Sequence, residues 1–516
     1  MASQTRVPKI QGCSTKLLLF LTIWLCNAFF TGLKAQPGAI SKSSYKSVWS
    51  STENGSAKYW YARVIGQTNK GSFLLKSNMP LDSKEDQVGL RSRKYALTYY
   101  DQTLSWKWEK PINQGEKNGH FDTVFVMNNK IFAQYSGPNE SNEQHTLRLE
   151  RIDQTPATTH NAITLLQMPR DKAESNLPSM SVLSPNQQLL AIALRGNAKS
   201  GSNDQRILIV GLCSEDMQIN LRKELSLPED LVMDTDTRLF LSNDSVLFIA
   251  GQSRSDRSNG FRIFNFDFRN EEAKGTFLDM GDKYIVGQQC AYDPVNKSLV
   301  VAGLYSNLGA GSIAGVFYCR MNAVNLSLSR NVSHPFSDSF LNQFIGEPKS
   351  QNKRELLNYA LSHLVLRQDG GVVLLAERRF FTEYSYYDFF TKTYVTRTIS
   401  HFDNISLLSV SPDGNVEWSR NIDKKQDSQE DDGYYLSFAS VTTGNALQLL
   451  YNKSDDKFNS VLIQTINSQG EMTTSLLADY SDNVTLIPRG ARQVDANTAV
   501  FPVFRKNRFY LLRTTF

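Results

Sequence analysis

The sequence predicts an all-β fold, a single β-propeller, and three observations support this prediction. A polar turn followed by an apolar strand recurs along residues 58–516, and a second turn-and-strand hairpin recurs between the copies. Helical periodicity is confined to one insertion. Because one such unit cannot bury both of its faces, the copies must stack on one another and close into a ring.

The first repeat unit is clearest at residues 367–377, where the turn residues Asp369 and Gly370 precede the apolar run VVLLA. Copies of this unit begin at residues 128, 184, 241, 292, 367, 442 and 494. Seven copies favour seven blades, with eight as the alternative. Residues 58–516 would supply about 66 residues per blade for seven blades or about 57 for eight, more than the ~40–50 of common propeller repeats. The excess is expected in long loops.

The second repeat unit is an outer hairpin, best seen in the segments DQTLSW (101–106) and DGNVEW (413–418). Both have an aliphatic residue three positions after the Asp and a Trp two positions further on. Asp and Gly suit tight turns, and the alternating aliphatic residues would face neighbouring blades. The C-terminal segment RFYLLRTTF (508–516) is expected to pair with an N-terminal strand, which would close the ring.

One insertion, at residues 335–364, is predicted to be helical. Ser337 or Asp338 can cap a helix whose end is marked by Gly346. The apolar residues expected on one face of this helix are Phe340, Leu341, Phe344 and Ile345. A second short helix is predicted at residues 353–360.

The first 35 residues are predicted to be a secretory signal peptide. Basic residues precede an apolar run from Leu17 to Phe30, and small or polar residues follow up to a cleavage point near Ala35. The run has 14 residues, fewer than the ~20 that a membrane-spanning helix needs. An uncleaved anchor is the alternative. We therefore expect a flexible segment at 36–57, a propeller domain at 58–516, and a secreted, periplasmic or outer-membrane-associated protein.

Composition and charge exclude some functions. Apolar residues make up 40% and charged residues 21% of the chain, an ordinary globular balance. The net charge is +5, but four basic and no acidic residues lie in the predicted signal, which leaves +1. This gives no electrostatic basis for binding nucleic acid, and no segment after residue 36 is apolar enough to span a membrane. The mature chain is expected to be monomeric, with Cys213, Cys290 and Cys319 as buried, unpaired side chains.

Two resemblances bear on the fold. The segment SPDGNVEW (411–418) resembles the Asp-box of sialidases, although Gly414 comes one place early and Glu417 replaces Thr. In sialidases that motif is a structural turn that lies away from the active site. The Asp-Gly turns look like WD-type and quinoprotein-type propeller repeats, and residues 364–422 are similar to segments of secreted, uncharacterised Bacteroidota proteins. These resemblances imply a propeller with an envelope or extracellular address, and no particular reaction.

The candidate site is an aromatic segment at residues 380–394 that follows two arginines. On a protruding hairpin, such residues would form a recognition patch for a glycan or a protein. The alternative is that they pack the hairpin onto its neighbours. The residues proposed for binding are Arg378, Arg379, Tyr384, Tyr386, Tyr387 and Phe389.

We expect no catalytic, metal or cofactor site. The six histidines have no spacing that would bring two onto one metal ion, and the acidic run at 427–432 lacks the alternating ligand order of a calcium loop. The sequence therefore predicts a non-enzymatic binding or scaffold module. The alternative is a propeller hydrolase or lyase acting on a glycan, with two carboxylates ~5–9.5 Å apart in the central channel.

Overall fold

A computed structural model describes residues 40–53, 58–79, 81, 93–112, 120–153, 162–173, 179–200, 203–227, 231, 237–253, 260–309, 311–344, 354–455, 458–479, 482–505 and 508–516. The predicted signal peptide lies outside these residues. Residues 42–516 form one compact unit, and a separate unit, 1–41, is described only at residues 40 and 41. No helix in the described part of the chain is long and apolar enough to cross a membrane.

The described strands form eight antiparallel sheets of four or five strands each and one small two-stranded sheet, which confirms the all-β propeller fold. The strands up to the fourth sheet are β1 (Lys46–Trp49), β2 (Tyr61–Thr68), β3 (Gly71–Ser77), β4 (Tyr95–Asp101), β5 (Trp106–Ile112), β6 (His120–Met127), β7 (Lys130–Pro138), β8 (Gln144–Ile152), β9 (Ile163–Pro169), β10 (Met180–Leu183), β11 (Leu190–Ser200), β12 (Asn203–Cys213), β13 (Ile219–Ser226), β14 (Arg238–Leu241), β15 (Val246–Gln252), β16 (Gly260–Asp267) and β17 (Glu272–Asp279).

The second half of the chain continues the pattern, with longer strands in the sixth sheet. Its strands are β18 (Tyr284–Asp293), β19 (Ser298–Ser306), β20 (Ser312–Ile313), β21 (Gly315–Asn322), β22 (Leu328–Pro335), β23 (Leu356–Leu357), β24 (Tyr359–Leu366), β25 (Val372–Asp388), β26 (Thr393–Val410), β27 (Val416–Ile422), β28 (Asp427–Gln429), β29 (Ala439–Thr442), β30 (Ala446–Asp455), β31 (Phe458–Asn467), β32 (Met472–Ala478), β33 (Val484–Leu486), β34 (Arg492–Asp495), β35 (Thr498–Arg505) and β36 (Arg508–Thr515).

Each sheet uses strands that follow one another in the chain, apart from the eighth. The first seven sheets are β2–β5, β6–β9, β10–β13, β14–β17, β18 with β19, β21 and β22, β24–β28, and β29–β32. The eighth joins β33, β34, β35 and β36 to the N-terminal strand β1, with Trp49 opposite Leu512. The predicted closure by residues 508–516 is therefore confirmed. The segment 36–57, expected to be flexible, contains this outermost strand.

Eight apolar clusters fill the spaces between consecutive sheets. The last one packs Val64 and Leu74 of the first sheet against Val500 and Leu511 of the eighth, so the ring is closed. The described residues form eight such sheets, the alternative count, where seven was preferred. The seven repeats found in the sequence are the second strands of sheets two to eight. The missing copy is β3, whose apolar run is interrupted by the buried Lys76.

The first strands of neighbouring sheets lie against one another, for example β2 against β6 and β10 against β14. These strands therefore surround the centre of the ring. The turn between β26 and β27, at Gly414, requires a residue without a side chain. Gly414 has φ +89°, and a Cβ there would come within 2.1 Å of a Val332 methyl group.

The insertion between β22 and β24 is helical, as predicted, but only in its first part. Ser337 caps an α-helix α1 (Asp338–Leu341), and a 3₁₀ turn (Asn342–Phe344) continues it. Phe340, Leu341 and Phe344 are buried against sheets five and six. Ile345 and Gly346 lie outside the described residues. The second helix predicted at 353–360 is wrong, because residues 356–357 pair with β20 as a strand and β24 begins at residue 359.

Candidate binding surface on the long hairpin and the central cavity

The two longest strands of the chain, β25 and β26, form the hairpin that carries the predicted binding residues. Strand β24 pairs with β25 only as far as Arg378, and β28 pairs with β26 only between residues 399 and 401. Beyond these points the hairpin is two-stranded. We call residues 377–382 and 399–403 the hairpin base, and residues 383–398 the hairpin tip.

The hairpin base is a buried network of charged groups. Glu377 is fully buried, and its carboxylate lies 3.0 Å from Lys424 Nζ and 2.8 Å from Arg379 Nε. Ser437 Oγ donates a hydrogen bond to the same carboxylate at 2.7 Å. Burial lowers the pKa of Lys424, and the charge of Glu377 opposes that shift. This network holds the loop after β28 against the hairpin.

The two predicted binding arginines belong to this base. Arg378 is buried, with Nη1 3.3 Å from Asp403 Oδ2 and its guanidinium 4.5 Å from the centre of the Phe380 ring. Arg379 lies over the Phe402 ring at 4.9 Å and donates a hydrogen bond to Ser362 Oγ. Both side chains therefore contact groups of the protein. Their position differs from that of the predicted aromatic residues, all four of which lie in the tip.

The hairpin tip exposes aromatic rings on both of its faces. Tyr384 and Tyr386 lie on one face, where residues two apart point the same way, with ring centres 6.1 Å apart and planes at 26°. On the other face, Tyr387 contacts Phe389 and Tyr394 edge to face. The exposed aromatic residues of the tip are Tyr384, Tyr386, Tyr387, Phe389, Phe390 and Tyr394, with exposed fractions from 40% to 99%. Such a concentration of exposed rings makes the tip a candidate interaction surface.

The backbone of the tip is held by polar contacts at its turn and at its outer edge. Asp388 Oδ1 accepts a hydrogen bond from Phe390 N at 2.8 Å, which shapes the turn. Glu430, just after β28, accepts from Thr398 N at 2.8 Å and lies 3.5 Å from Arg397 Nη1. These contacts orient the tip relative to the ring. Arg397 and Glu430 were not among the predicted site residues, because only the strand register brings them together.

The second candidate region is a cavity of about 550 Å³ lined by the first strands of sheets one to four and by β34. Three arginines line it, namely Arg63, Arg238 and Arg492, together with hydroxyl and aliphatic side chains. Among the described residues, its lining contains no Asp or Glu. No linear motif pointed to this cavity, because its arginines are far apart in the chain.

One carboxyl group lies directly behind this lining. Asp122 accepts a 2.8 Å hydrogen bond from Ser136 Oγ and a further one from Ser179 Oγ. Burial raises the pKa of Asp122 to about 6, and these hydrogen bonds oppose the shift. The acidic run at 427–432 lies elsewhere, in β28 and the turn after it, where Asp431 accepts hydrogen bonds from Ser428 Oγ and Gly433 N.

The three cysteines are buried and unpaired in the described structure. Burial raises the pKa of the Cys213, Cys290 and Cys319 thiols to about 12, which leaves them protonated and unreactive at neutral pH. They therefore act as small apolar side chains, as the sequence predicted.

No protein-family model and no curated protein sequence matches this chain. Among solved structures, it is similar to the polysaccharide lyase Uly1, with 9% identity over 89% of this chain and 99% of that one, and a TM-score of 0.38. It is also similar to the WD40 domain of SCAP from fission yeast, with 10% identity, 91% and 98% coverage and a TM-score of 0.40. A third similar structure is the β-propeller domain of the Trilobed protease from Pyrococcus furiosus, with 9% identity over 83% of this chain and 98% of that one, and a TM-score of 0.37. At this level of similarity they concern the fold alone.

Proposed function

We propose that this chain is an exported, non-enzymatic β-propeller that binds a glycan through its hairpin tip. The observation that carries the proposal is the group of exposed aromatic rings at the end of a ribbon anchored by a buried base. Leaving so much apolar surface in water is unfavourable, and a ligand that covers the rings would remove this cost.

The arrangement of polar groups favours a carbohydrate as the ligand. The Tyr384 and Tyr386 rings are nearly parallel, at a spacing comparable to one sugar unit of an extended polysaccharide. On the opposite face, beside the Tyr387 and Tyr394 rings, Ser385 Oγ lies 2.8 Å from Thr396 Oγ1 across the ribbon. Aromatic faces can cover the apolar side of a sugar ring while hydroxyl groups bond to its polar rim.

Export is the second part of the proposal. It is supported by the basic residues and short apolar run before Ala35, the pattern of a secretory signal. We place the mature protein, from residue 36 onward, outside the cell, in the periplasm or at the outer membrane. In these places its glycan ligand would be an extracellular or envelope polysaccharide.

The alternative of a glycan hydrolase requires paired carboxylates in the central channel. The described lining of the cavity instead carries three arginines. Asp122, the carboxyl group behind this lining, is occupied by hydrogen bonds from Ser136 and Ser179. We therefore favour binding without turnover.

A glycan array probed with residues 36–516 tests the proposal. We expect at least one glycan to bind, and the double variant Tyr384→Ala/Tyr386→Ala to bind it at least about tenfold more weakly. The matched control is Tyr284→Ala, because Tyr284 has a similar exposed fraction, 47% against 44% for Tyr384, on the fifth sheet.

Three results would overturn this proposal. An array on which the wild-type protein binds no glycan would exclude a carbohydrate ligand and direct the search to protein partners. New reducing ends or unsaturated products from a bound glycan would show that the chain is an enzyme. Equal losses in the control and in the double variant would show that the tip is not the contact surface.

A further inference from the structure

The central cavity brings together positive charges from distant parts of the chain. Arg63 comes from β2 in the first sheet, Arg238 is the first residue of β14 in the fourth, and Arg492 is the first residue of β34 in the eighth. All three arginines line one cavity of about 550 Å³. This volume is in the range that holds a small organic molecule.

Two of these arginines are close enough to influence each other. Burial lowers the pKa of Arg492, and the nearby positive charge of Arg63 lowers it further. An anion between them would convert the repulsion into attraction.

The rest of the lining suits an anionic ligand with an uncharged body. Thr123, Ser181 and Thr237 supply hydroxyl groups that can donate hydrogen bonds, and Ile65 and Leu183 supply apolar walls. The guanidinium fork matches two oxygens of one carboxylate, phosphate or sulfate group. Cationic ligands are disfavoured, because the described lining contains no Asp or Glu.

We propose that the central cavity is a binding site for a small molecule that carries oxyanion groups, held by Arg63, Arg238 and Arg492. The shared chemistry of its ligands is the oxyanion, either a carboxylate or a phosphate. This site is separate from the hairpin tip and does not depend on the proposed glycan ligand.

Isothermal titration calorimetry of residues 36–516 tests the site, with citrate as the carboxylate probe and inorganic phosphate as the other. In a buffer of ~20 mM ionic strength, we expect at least one of them to bind, and to bind more weakly when salt is raised to ~200 mM. The probe that binds more tightly identifies the preferred oxyanion. Failure of both probes to bind at low ionic strength would overturn the proposal.

Substitution of Arg492 assigns the binding to this cavity. We expect Arg492→Gln to lower the affinity for the tighter-binding probe about tenfold. Arg492→Lys, which keeps the charge but loses the fork, should lower this affinity less. The matched control is Arg222→Gln, because Arg222 is an exposed arginine on the outer strand β13 that donates a hydrogen bond to Gln167 O. Unchanged affinity in Arg492→Gln, or equal losses in it and the control, would show that the probe binds elsewhere.

A loss of folding could imitate a loss of binding, so the melting temperature of each unliganded variant is measured as well. If Arg492→Gln is unfolded, the probe affinities of Arg63→Gln and Arg492→Lys decide whether the probe binds in this cavity. We expect relief of the repulsion between Arg63 and Arg492 to leave the unliganded Arg492→Gln protein as stable as the wild type or more so. A large destabilisation together with full binding by Arg63→Gln would overturn the proposal.

Discussion

The base and the tip of the long hairpin are continuous in sequence but opposite in character. In the base, the charged groups of Glu377, Arg379 and Lys424 are satisfied by one another. In the tip, rings such as Phe389 and Phe390 are exposed at 82% and 99% and contact little of the protein. The base is held by contacts within the protein, and the tip leaves its rings exposed to solvent.

The boundary between these regions is set by strand pairing. Strand β24 ends its pairing at Arg378, where β25 also has an irregular register against β26. The base therefore ends where the third strand stops pairing and the register shifts. An aromatic-rich segment cannot be assigned a single role until the end of its neighbouring strand is known.

The largest effect on stability is expected when the buried charge network loses the carboxylate of Glu377. Glu377→Gln leaves the buried ammonium group of Lys424 without its ion-pair partner. We expect the free energy of unfolding to fall by about 3–5 kcal/mol in chemical denaturation. Glu383→Gln is the control in the tip, where the change should stay within about 0.5 kcal/mol. Similar losses in both variants would remove the distinction between base and tip.

A second large effect on the free energy of unfolding is expected when the pH is lowered. His363 lies edge-on to Phe438 beside the hairpin base, and burial, helped by the charge of Arg379, lowers its pKa to about 4. The unfolded chain has an ordinary histidine pKa near ~6.5 and therefore takes up a proton first as the pH falls. Stability from neutral His363 is complete above pH ~6.5 and is lost towards pH ~4, a change of about 3 kcal/mol.

Unfolding curves at several pH values for the wild type and for His363→Gln check this prediction. The variant should lose less stability than the wild type between pH ~6.5 and pH ~4, because its amide does not titrate. The other acid-sensitive groups are common to both proteins and cancel in the difference. Parallel pH profiles would mean that His363 is solvated and that the base is less tightly closed than its geometry indicates.

A smaller effect is expected at Arg379, whose side chain is one-third exposed. Arg379→Ala removes a hydrogen-bonded ion pair with Glu377 and the contact with the Phe402 ring, but leaves Lys424 to balance the charge. We expect a loss of about 2 kcal/mol in the free energy of unfolding and no change in glycan affinity. A weaker glycan affinity at unchanged stability would show that Arg379 belongs to the binding surface.

Much of the fold could be predicted from the sequence, because turns and apolar strands are local signals. The missed repeat shows the limit. Strand β3 contains Lys76, whose amine lies 3.0 Å from Glu53, a residue of the segment expected to be flexible. A lysine in an apolar run argues against a buried strand unless its partner is known. That partner is 23 residues away in the chain and is brought close only by folding.

The site was predictable only in part. The aromatic run located the hairpin tip, whereas Arg378 and Arg379, which the sequence grouped with it, lie in the base. The cavity could not be found at all, since Arg63, Arg238 and Arg492 meet only when sheets one, four and eight surround one centre. Constellations drawn from several blades have no linear signature.

The smallest effect on stability, and the sharpest test of the comparison, is expected for Tyr386→Ala. The Tyr386 ring is 41% exposed, and its nearest ring neighbour, Tyr384, is equally peripheral. Its removal should change the free energy of unfolding by less than about 0.5 kcal/mol while weakening glycan binding several-fold. Measuring both quantities on one preparation of Tyr386→Ala and Arg379→Ala separates the roles: the tip variant should lose affinity and keep stability, and the base variant should do the reverse. If Tyr386→Ala instead lowers the melting temperature and keeps its affinity, the rings of the tip serve the packing of the hairpin, and the recognition surface must be sought elsewhere on the ring.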